Sequence, residues 1–576
     1  MLGKIGKPFR TEVGALQRRA MYFVDTTHTF SPPAMGHTLS AAIHPPFIGS
    51  LCRSVPNDES QDSQDSRYAS ALAVPHELAT QHDPCASRPH IPSIHILDDD
   101  SLLRIFFFCR LVLFEEVEDD IPFRFPKEEC AHERWWYKLT HVCRRWQYLV
   151  FASASHLGLC LVFTHCTPVA DMLAHSPPLP FIINYQSRET EDEVEGIILA
   201  LQHRDRVRRI SLEISIPNLQ KVLLTMDDEF PMLEYLFIGR QIKHNMSLVL
   251  PKTFQAPHLR HLILVNFAIP IRSPFLTPAV GLVTLTLGLI HPSAYFRPND
   301  LLQRLSLMPQ LEELGIGFHS PVPNREVEMQ LLDTPTMTHI TLPNLRCFAF
   351  KGVSAYLEAL LPRMTTPLLE GLYISFSNQL TFSFTHLLQF ISTRENLRFR
   401  SAEFLFSPQA LTVLVFPGRA KIHTLHVHVR CAHLDWQVAS AAQIYDALRT
   451  AFSVVERITL RYKSGFTPLE DRENAADRTH WRELLRSFGN VKTLHVADND
   501  LVMPVSGCLR PDDEESPMEL LPELEELEYF SSSDAGEEFT LFIDAREKAG
   551  HPVTLTRASS GSDVESFWAP SPESSS

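Results

Sequence analysis

From about residue 200 onward one pattern of apolar and polar positions keeps returning: apolar, two variable residues, apolar, one variable residue, apolar. It reads VRRISL at Val207, LEYLFI at Leu233, LRHLIL at Leu259, LEELGI at Leu311, LRCFAF at Leu345 and LEGLYI at Leu369. It continues as IHTLHV at Ile422, VERITL at Val455, VKTLHV at Val491 and LEELEY at Leu524, with VTLTL near Val283 and AEFLF near Ala402 as degenerate members. Alternation inside each unit predicts a short strand with one buried face. Proline precedes many units, as in FPMLEYL, MPQLEEL, LPNLRCF and LPELEEL, where it ends a preceding helix and fixes an extended approach. Helical stretches such as AYLEALL, FTHLLQFI and HWRELLRSF lie between units. The expected fold class is therefore α/β, a parallel sheet with helices along its other side. A doubly wound enzyme would call for longer buried strands and a glycine-rich ligand loop. No GxGxxG, GxxxxGK[ST] or GxSxG occurs.

A different period governs residues 96–153. In residues 135–153 (WWYKLTHVCRRWQYLVFAS), Leu139, Val142, Trp146, Leu149 and Val150 fall at i, i+3, i+7, i+10 and i+11. That spacing predicts one amphipathic helix with Arg144, Arg145 and Gln147 on its polar face. Residues 96–108 (ILDDDSLLRIFFF) begin with Asp98, Asp99 and Asp100, suited to a helix N-terminus, before Leu102, Leu103, Ile105 and Phe106. A segment of roughly 55 residues is small for a core of its own. Its apolar stripe is expected to meet another protein, because Trp and Arg carry interface energy when buried.

These two segments resemble the F-box, in the form common in large families of mushroom-type fungi. There two acids precede LLxIF, and WxxLxxVCRRWRxLVF follows. The matching residues are Trp136, Leu139, Val142, Cys143, Arg144, Arg145, Trp146, Leu149, Val150 and Phe151. Asp98 stands where that family has proline, and the stretch from Glu115 to Arg134 is longer than in a compact F-box. The following HLGLCLVFTHCTPVADMLAHSPPLPFIINY, from His156 to Tyr185, is similar to the same family's RLxLRLVCTxxTPVxxxLxxWPxLPI. Leu159, Leu161 and Phe163, and again Leu179, Phe181 and Ile183, alternate as strands that would start the sheet.

Repeats roughly 21 to 36 residues apart suit leucine-rich repeats, so the order resembles F-box proteins with leucine-rich repeats. The resemblance implies a helical F-box followed by a solenoid, its sheet concave and its helices convex. It implies a substrate-recognition adaptor of a Skp, cullin and F-box ubiquitin ligase, with no catalytic residue of its own. Leu97, Leu102, Leu103, Ile105, Phe106, Trp136, Leu139, Val142, Trp146, Leu149 and Val150 would bind the Skp-type adaptor and through it a cullin. The repeats would hold a target protein, in the cytoplasm, the nucleus or both. The alternative is an interaction scaffold acting outside ubiquitin transfer.

Variable residues between the spaced apolar ones would line the concave face. The candidate target-binding residues are Tyr235, Phe237, Tyr373, His426, His428, Arg457, Arg461 and His495, joined on that face by His261, Ile263, Glu526 and Glu528. The basic and imidazole groups would draw an acidic or phosphorylated target. His426 and His428, with His423, Cys431 and His433 nearby, have the spacing of a shared zinc but lack a carboxylate, so solvated histidines are expected and no metal or cofactor. A formal charge of −16 argues against nucleic acid as a partner. The 10 cysteines form no CxxC pair and read as reduced thiols. The most apolar run, from Leu102 to Phe114, is interrupted by Arg104 and Arg110 and too short for a bilayer, so no membrane partner is expected. The layout expected is a disordered region over 1–90, the F-box-like domain over 91–155, a linker and cap over 156–200, repeats over 201–558 and a disordered tail over 559–576.

Overall fold

The computed structural model describes residues 97–115, 134–165, 167–186, 190–239, 249–267, 269–276, 279–319, 338–377, 384–394, 396–397, 399–417, 424–431, 433–463, 478–510, 518–530 and 537–558. The segments expected to be disordered, 1–90 and 559–576, lie outside the described residues, as does His423. Contacts divide the chain into one unit of residues 1–28 with 103–576 and a second of residues 29–102. Of the second, residues 97–102 are described. They begin helix α1 (Asp99–Glu115), where Asp98 Oδ1 accepts from the Ser101 N–H at 2.7 Å. The N-terminal capping expected of the aspartates is present.

Residues 135–153 form two helices, α2 (Trp135–Thr140) and α3 (Arg144–Ala152), where one was expected. The physical reason is aromatic packing. On a continuous helix Trp136 and Phe151 would stand about 22 Å apart at 1.5 Å per residue; their rings lie 5.8 Å apart, edge to face. The chain folds back at His141 to Cys143, with Cys143 extended at φ −160° and ψ 166°. A short α4 (Ala154–Leu157) follows, and Gly158 at φ 63° turns the chain toward the sheet, a left-handed conformation glycine adopts without strain.

The rest is mixed α/β around a mostly parallel sheet of 16 strands. Its first strands are β1 (Leu161–Phe163), β2 (Phe181–Gln186), β3 (Val207–Glu213), β4 (Tyr235–Ile238), β5 (His261–Val265), β6 (Thr284–Ile290) and β7 (Glu313–Phe318). A separate pair, β8 (Ile340–Thr341) and β10 (Met364–Thr365), flanks β9 (Cys347–Gly352), and β11 (Gly371–Ser377) follows. Next come β12 (Ser401–Ser407), β13 (Ala410–Phe416), β14 (Leu425–Arg430), β15 (Arg457–Tyr462), β16 (Thr493–Val496), β17 (Glu526–Phe530) and β18 (Thr554–Ala558). Both strands foreseen in the linker are present as β1 and β2. The spaced apolar residues stand in register, Leu236 beside Leu262 and Ile458 beside Leu494, and are buried. Each contributes about 1.5 to 3 kcal/mol by leaving water.

The expected uniform parallel sheet is interrupted once. The order runs β11, β14, β13, β12, β15, and β13 is antiparallel to both its neighbours. Only Pro408 and Gln409 separate β12 from β13, and a two-residue connection cannot make a parallel crossover. Ser407 Oγ donates to the Ala410 carbonyl and accepts from its N–H, closing the turn at 2.9 and 3.1 Å. Buried Gln437 in the helix Leu434–Ala447 holds the insertion down, donating to the carbonyls of Ser407 at 2.7 Å and Cys431 at 2.9 Å.

Side chains tie neighbouring repeats together. Asn344 and Asn490, each just before the first apolar residue of its unit, and Asn396, three residues before that of its own, donate to carbonyls of Pro309, Ser453 and Pro367. Glu358 accepts from the His386 and Leu387 N–H groups at 2.7 and 2.9 Å, capping the helix Thr385–Ser392 from the repeat before it. Along one rim, the residues after each first apolar position alternate in sign: Arg208, Glu234, Arg260, neutral Val283, Glu312, Arg346 and Glu370. Beyond the insertion come Arg400, Glu456, Lys492 and Glu525. Within each run, the backbone N–H of each residue donates to the carbonyl of the one before it, at 2.7 to 3.1 Å. Ion pairs join Arg208 to Glu234 at 3.0 Å and Arg346 to Glu370 at 2.6 Å, and Lys492 lies 3.8 and 3.9 Å from Glu456 and Glu525. Each exposed pair contributes about 0.2 to 1 kcal/mol, but the alternation penalises stacking in the wrong order. Glu234→Arg, standing between Arg208 and Arg260, is expected to lower stability in urea by about 1 kcal/mol. Adding Arg208→Glu should restore part of that loss; a double variant no more stable than the single one would show that the charges are idle.

Candidate protein-interaction surfaces

The helical segment has a core of its own, built from aromatic contacts. Phe106 of α1 meets Trp146 of α3 edge to face at 4.8 Å, and Phe107 stacks on His156 at 6.2 Å. Trp136 stacks on Tyr137 at 4.2 Å. Of the eleven residues expected to meet an adaptor, Leu102, Phe106, Trp136, Leu149 and Val150 are buried inside the chain and present no surface. Leu97, Leu103, Leu139 and Trp146 are half-buried. Ile105 is 39% exposed and Val142, at the fold-back, 56%. Two apolar side chains more open than these were not among the expected residues, Phe108 at 61% and Tyr148 at 72%. A signal for Phe108 exists in the sequence. Leu102 and Phe106 form one helical stripe, Ile105 and Phe108 another, and a helix apolar on two sides exceeds what one neighbour covers.

The second surface is the sheet face opposite the helices. The register puts Phe237 beside Ile263, and Tyr373 beside His426. On the far side of the hairpin it puts Glu403 beside Thr459, Thr459 beside His495, and His495 beside Glu528. Arg457 occupies the row before and Arg461 the row after, so the expected target-binding residues do share one face. Exposure divides them. Phe237, Tyr373 and His426 are buried, Phe237 in a cluster with Ile263, Val265 and Leu289, and Tyr373 in one with Cys347 and Ala349. Tyr235, His428, Arg457, Arg461 and His495 remain partly exposed. His428 Nδ1 lies 3.0 Å from Thr412 Oγ1, and the His426 ring meets Tyr373 edge-on. Among the described residues no group of three or more His, Cys, Asp or Glu side chains is placed to hold a metal ion.

The expected surplus of positive charge is balanced on this face. Arg461 pairs with Glu403 at 3.2 Å, and Arg457 acts on Glu528 beside Glu526. Burial raises the pKa of Glu403 and Glu528; Arg461 opposes the shift at the first and Arg457 at the second. The His495 imidazole is pushed down to about 4, by burial first and then by Arg461 and Arg457. Below its ordinary pKa of 6.5 the unfolded chain therefore binds a proton that the folded chain refuses. His495 leaves stability intact above pH 6.5 and removes it as pH falls toward 4, by on the order of 3 kcal/mol. The difference in stability between the His495→Gln variant and the native chain should shift in the variant's favour by that order from pH 7 to 4.5; a pH-independent difference would refute it.

No helix among the described residues is long and apolar enough to cross a membrane. No protein-family model matches this chain, and neither does any curated protein.

Proposed function

We propose that this chain is a substrate-recognition adaptor of a Skp, cullin and F-box ubiquitin ligase, working in the cytoplasm or nucleus. In this reading α1 to α3 are an F-box that docks on a Skp-type adaptor, and the sheet with its helices is a leucine-rich-repeat solenoid that holds a target protein. The observation that carries it is the exposure of Ile105, Phe108, Val142 and Tyr148 on a helical segment whose own core is already filled. Apolar side chains left over after internal packing suit a partner's groove. The chain would supply no bond chemistry. It would raise the effective concentration of the target near a ubiquitin-charged enzyme and orient it. Balanced charge around Arg457 and Arg461 favours a target read by shape and paired hydrogen bonds over one drawn by phosphate alone. Pull-down of the full chain with purified Skp-type adaptor tests the proposal: a stoichiometric complex is expected, and none at micromolar concentrations would defeat it.

A further inference from the structure

Helices α2 to α4 join the sheet through a short covalent link, Gly158 to Cys160, which by itself would let the helical segment swivel about a few backbone torsions. A second attachment removes that freedom. Arg134, immediately before α2, carries its Nη2 to 3.1 Å from the Val162 carbonyl, 2.8 Å from Thr164 Oγ1 and 3.4 Å from Thr167 Oγ1. Thr167 Oγ1 in turn accepts from the Thr164 N–H at 3.0 Å, so the acceptors form one cradle.

The choice of carbonyl matters. Leu161 N–H donates to the Pro180 carbonyl on the β2 side, so Val162, the next residue, turns its N–H and carbonyl to the sheet's outer edge. Arg134 thus occupies a place where a further strand would bond. Tyr137 lies half-buried beside the same carbonyl, one turn along from Arg134. The guanidinium both satisfies an edge acceptor and blocks strand addition there.

We infer that Arg134 is a positioning residue: with the Gly158 turn it fixes the helical segment to β1 at two points, so that the α1 to α3 surface and the sheet face move as one body. Its value for ubiquitin transfer rests on the proposed function, since a swivelling joint would spread the target over many orientations and dilute its effective concentration.

The test uses the full chain, with a donor and an acceptor dye on noncanonical amino acids at exposed Gln147 in α3 and exposed Lys221 in the helix Ile216–Thr225. Single-molecule energy transfer should give one narrow distance distribution in the native chain and a distribution roughly twofold broader in Arg134→Ala. Thr164→Val is the milder variant should Arg134→Ala fail to fold, and it should broaden the distribution in the same sense. Glu358→Gln, which weakens a tie elsewhere in the repeats, is the control that lowers the melting temperature without widening the distribution. Unchanged width in both clamp variants, or equal widening in the control, would overturn the inference. Adaptor affinity measured on the same samples should be the same in native and Arg134→Ala chains. A native chain that binds no adaptor would defeat the proposed function while the distance result still decides the clamp.

Discussion

Changing Phe108 and Tyr148 together to aspartate is expected to abolish capture of a purified Skp-type adaptor while leaving the chain folded. Both side chains are more than half exposed, so charge there removes little of the chain's own packing. Surface substitutions of this kind change stability by only about 0.5 kcal/mol. Apolar anchors buried by a partner, in contrast, account for 2 kcal/mol or more each, so affinity should fall by roughly 30-fold per anchor. Phe106→Ala provides the opposite profile. Phe106 is fully buried against Trp146, and its loss should cost about 3 to 5 kcal/mol of the segment's stability, with binding lost only as a consequence. Isothermal titration beside thermal denaturation separates the two. Adaptor affinity unchanged in the double aspartate variant would show that the exposed pair lies outside any adaptor contact.

Trp481→Ala should have the largest effect on the repeat body. The indole is fully buried in the helix Arg478–Ser487, and its ring lies 5.6 Å from Phe406 of β12. Truncation leaves a cavity and should cost about 3 to 5 kcal/mol. Its N–H has no hydrogen-bond partner among the described residues, so Trp481→Phe should cost much less. The position also decides how the chain unfolds. Repeats couple only to their neighbours, and Trp481 packs the helix after β15 onto β12, the strand that follows the insertion in the sheet. Weakening that joint should split urea unfolding into two steps, β15 to β18 being lost before the strands ahead of the insertion. A single transition of unchanged midpoint would contradict this role.

The repeat strands were legible because each residue's fate depends on its neighbours two places away. Ile458 and Leu460, or Leu494 and Val496, alternate with polar residues, and the buried face follows from that alone. The hairpin also had a signal, two alternating runs parted by Pro408 and Gln409, but AEFLF read as one more repeat hid it. The fold-back at His141 to Cys143 had none. Helical spacing through residues 135–153 is satisfied equally by one helix or two, and only the meeting of Trp136 with Phe151 selects two. The same limit applied to the candidate sites. Spacing placed Tyr373, His426, Arg461 and His495 on one face, yet whether a side chain on that face is buried depends on the strands beside it.

Sequence by itself thus determined the strand and helix alternation, the inward-facing apolar residues of the repeat strands and the capped start of α1. These are local or periodic properties, set by backbone geometry and the hydrophobic effect over a few residues. The tertiary structure alone decided that β14 and β13 intrude between β11 and β12, and that Arg461 is matched by Glu403. It alone decided that Phe106 and Trp136 are core while Phe108 and Tyr148 face water, and that Arg134 grips β1 across 28 residues of chain. Each of these depends on which distant segments come to lie side by side, and a contact between distant segments leaves no period in the sequence.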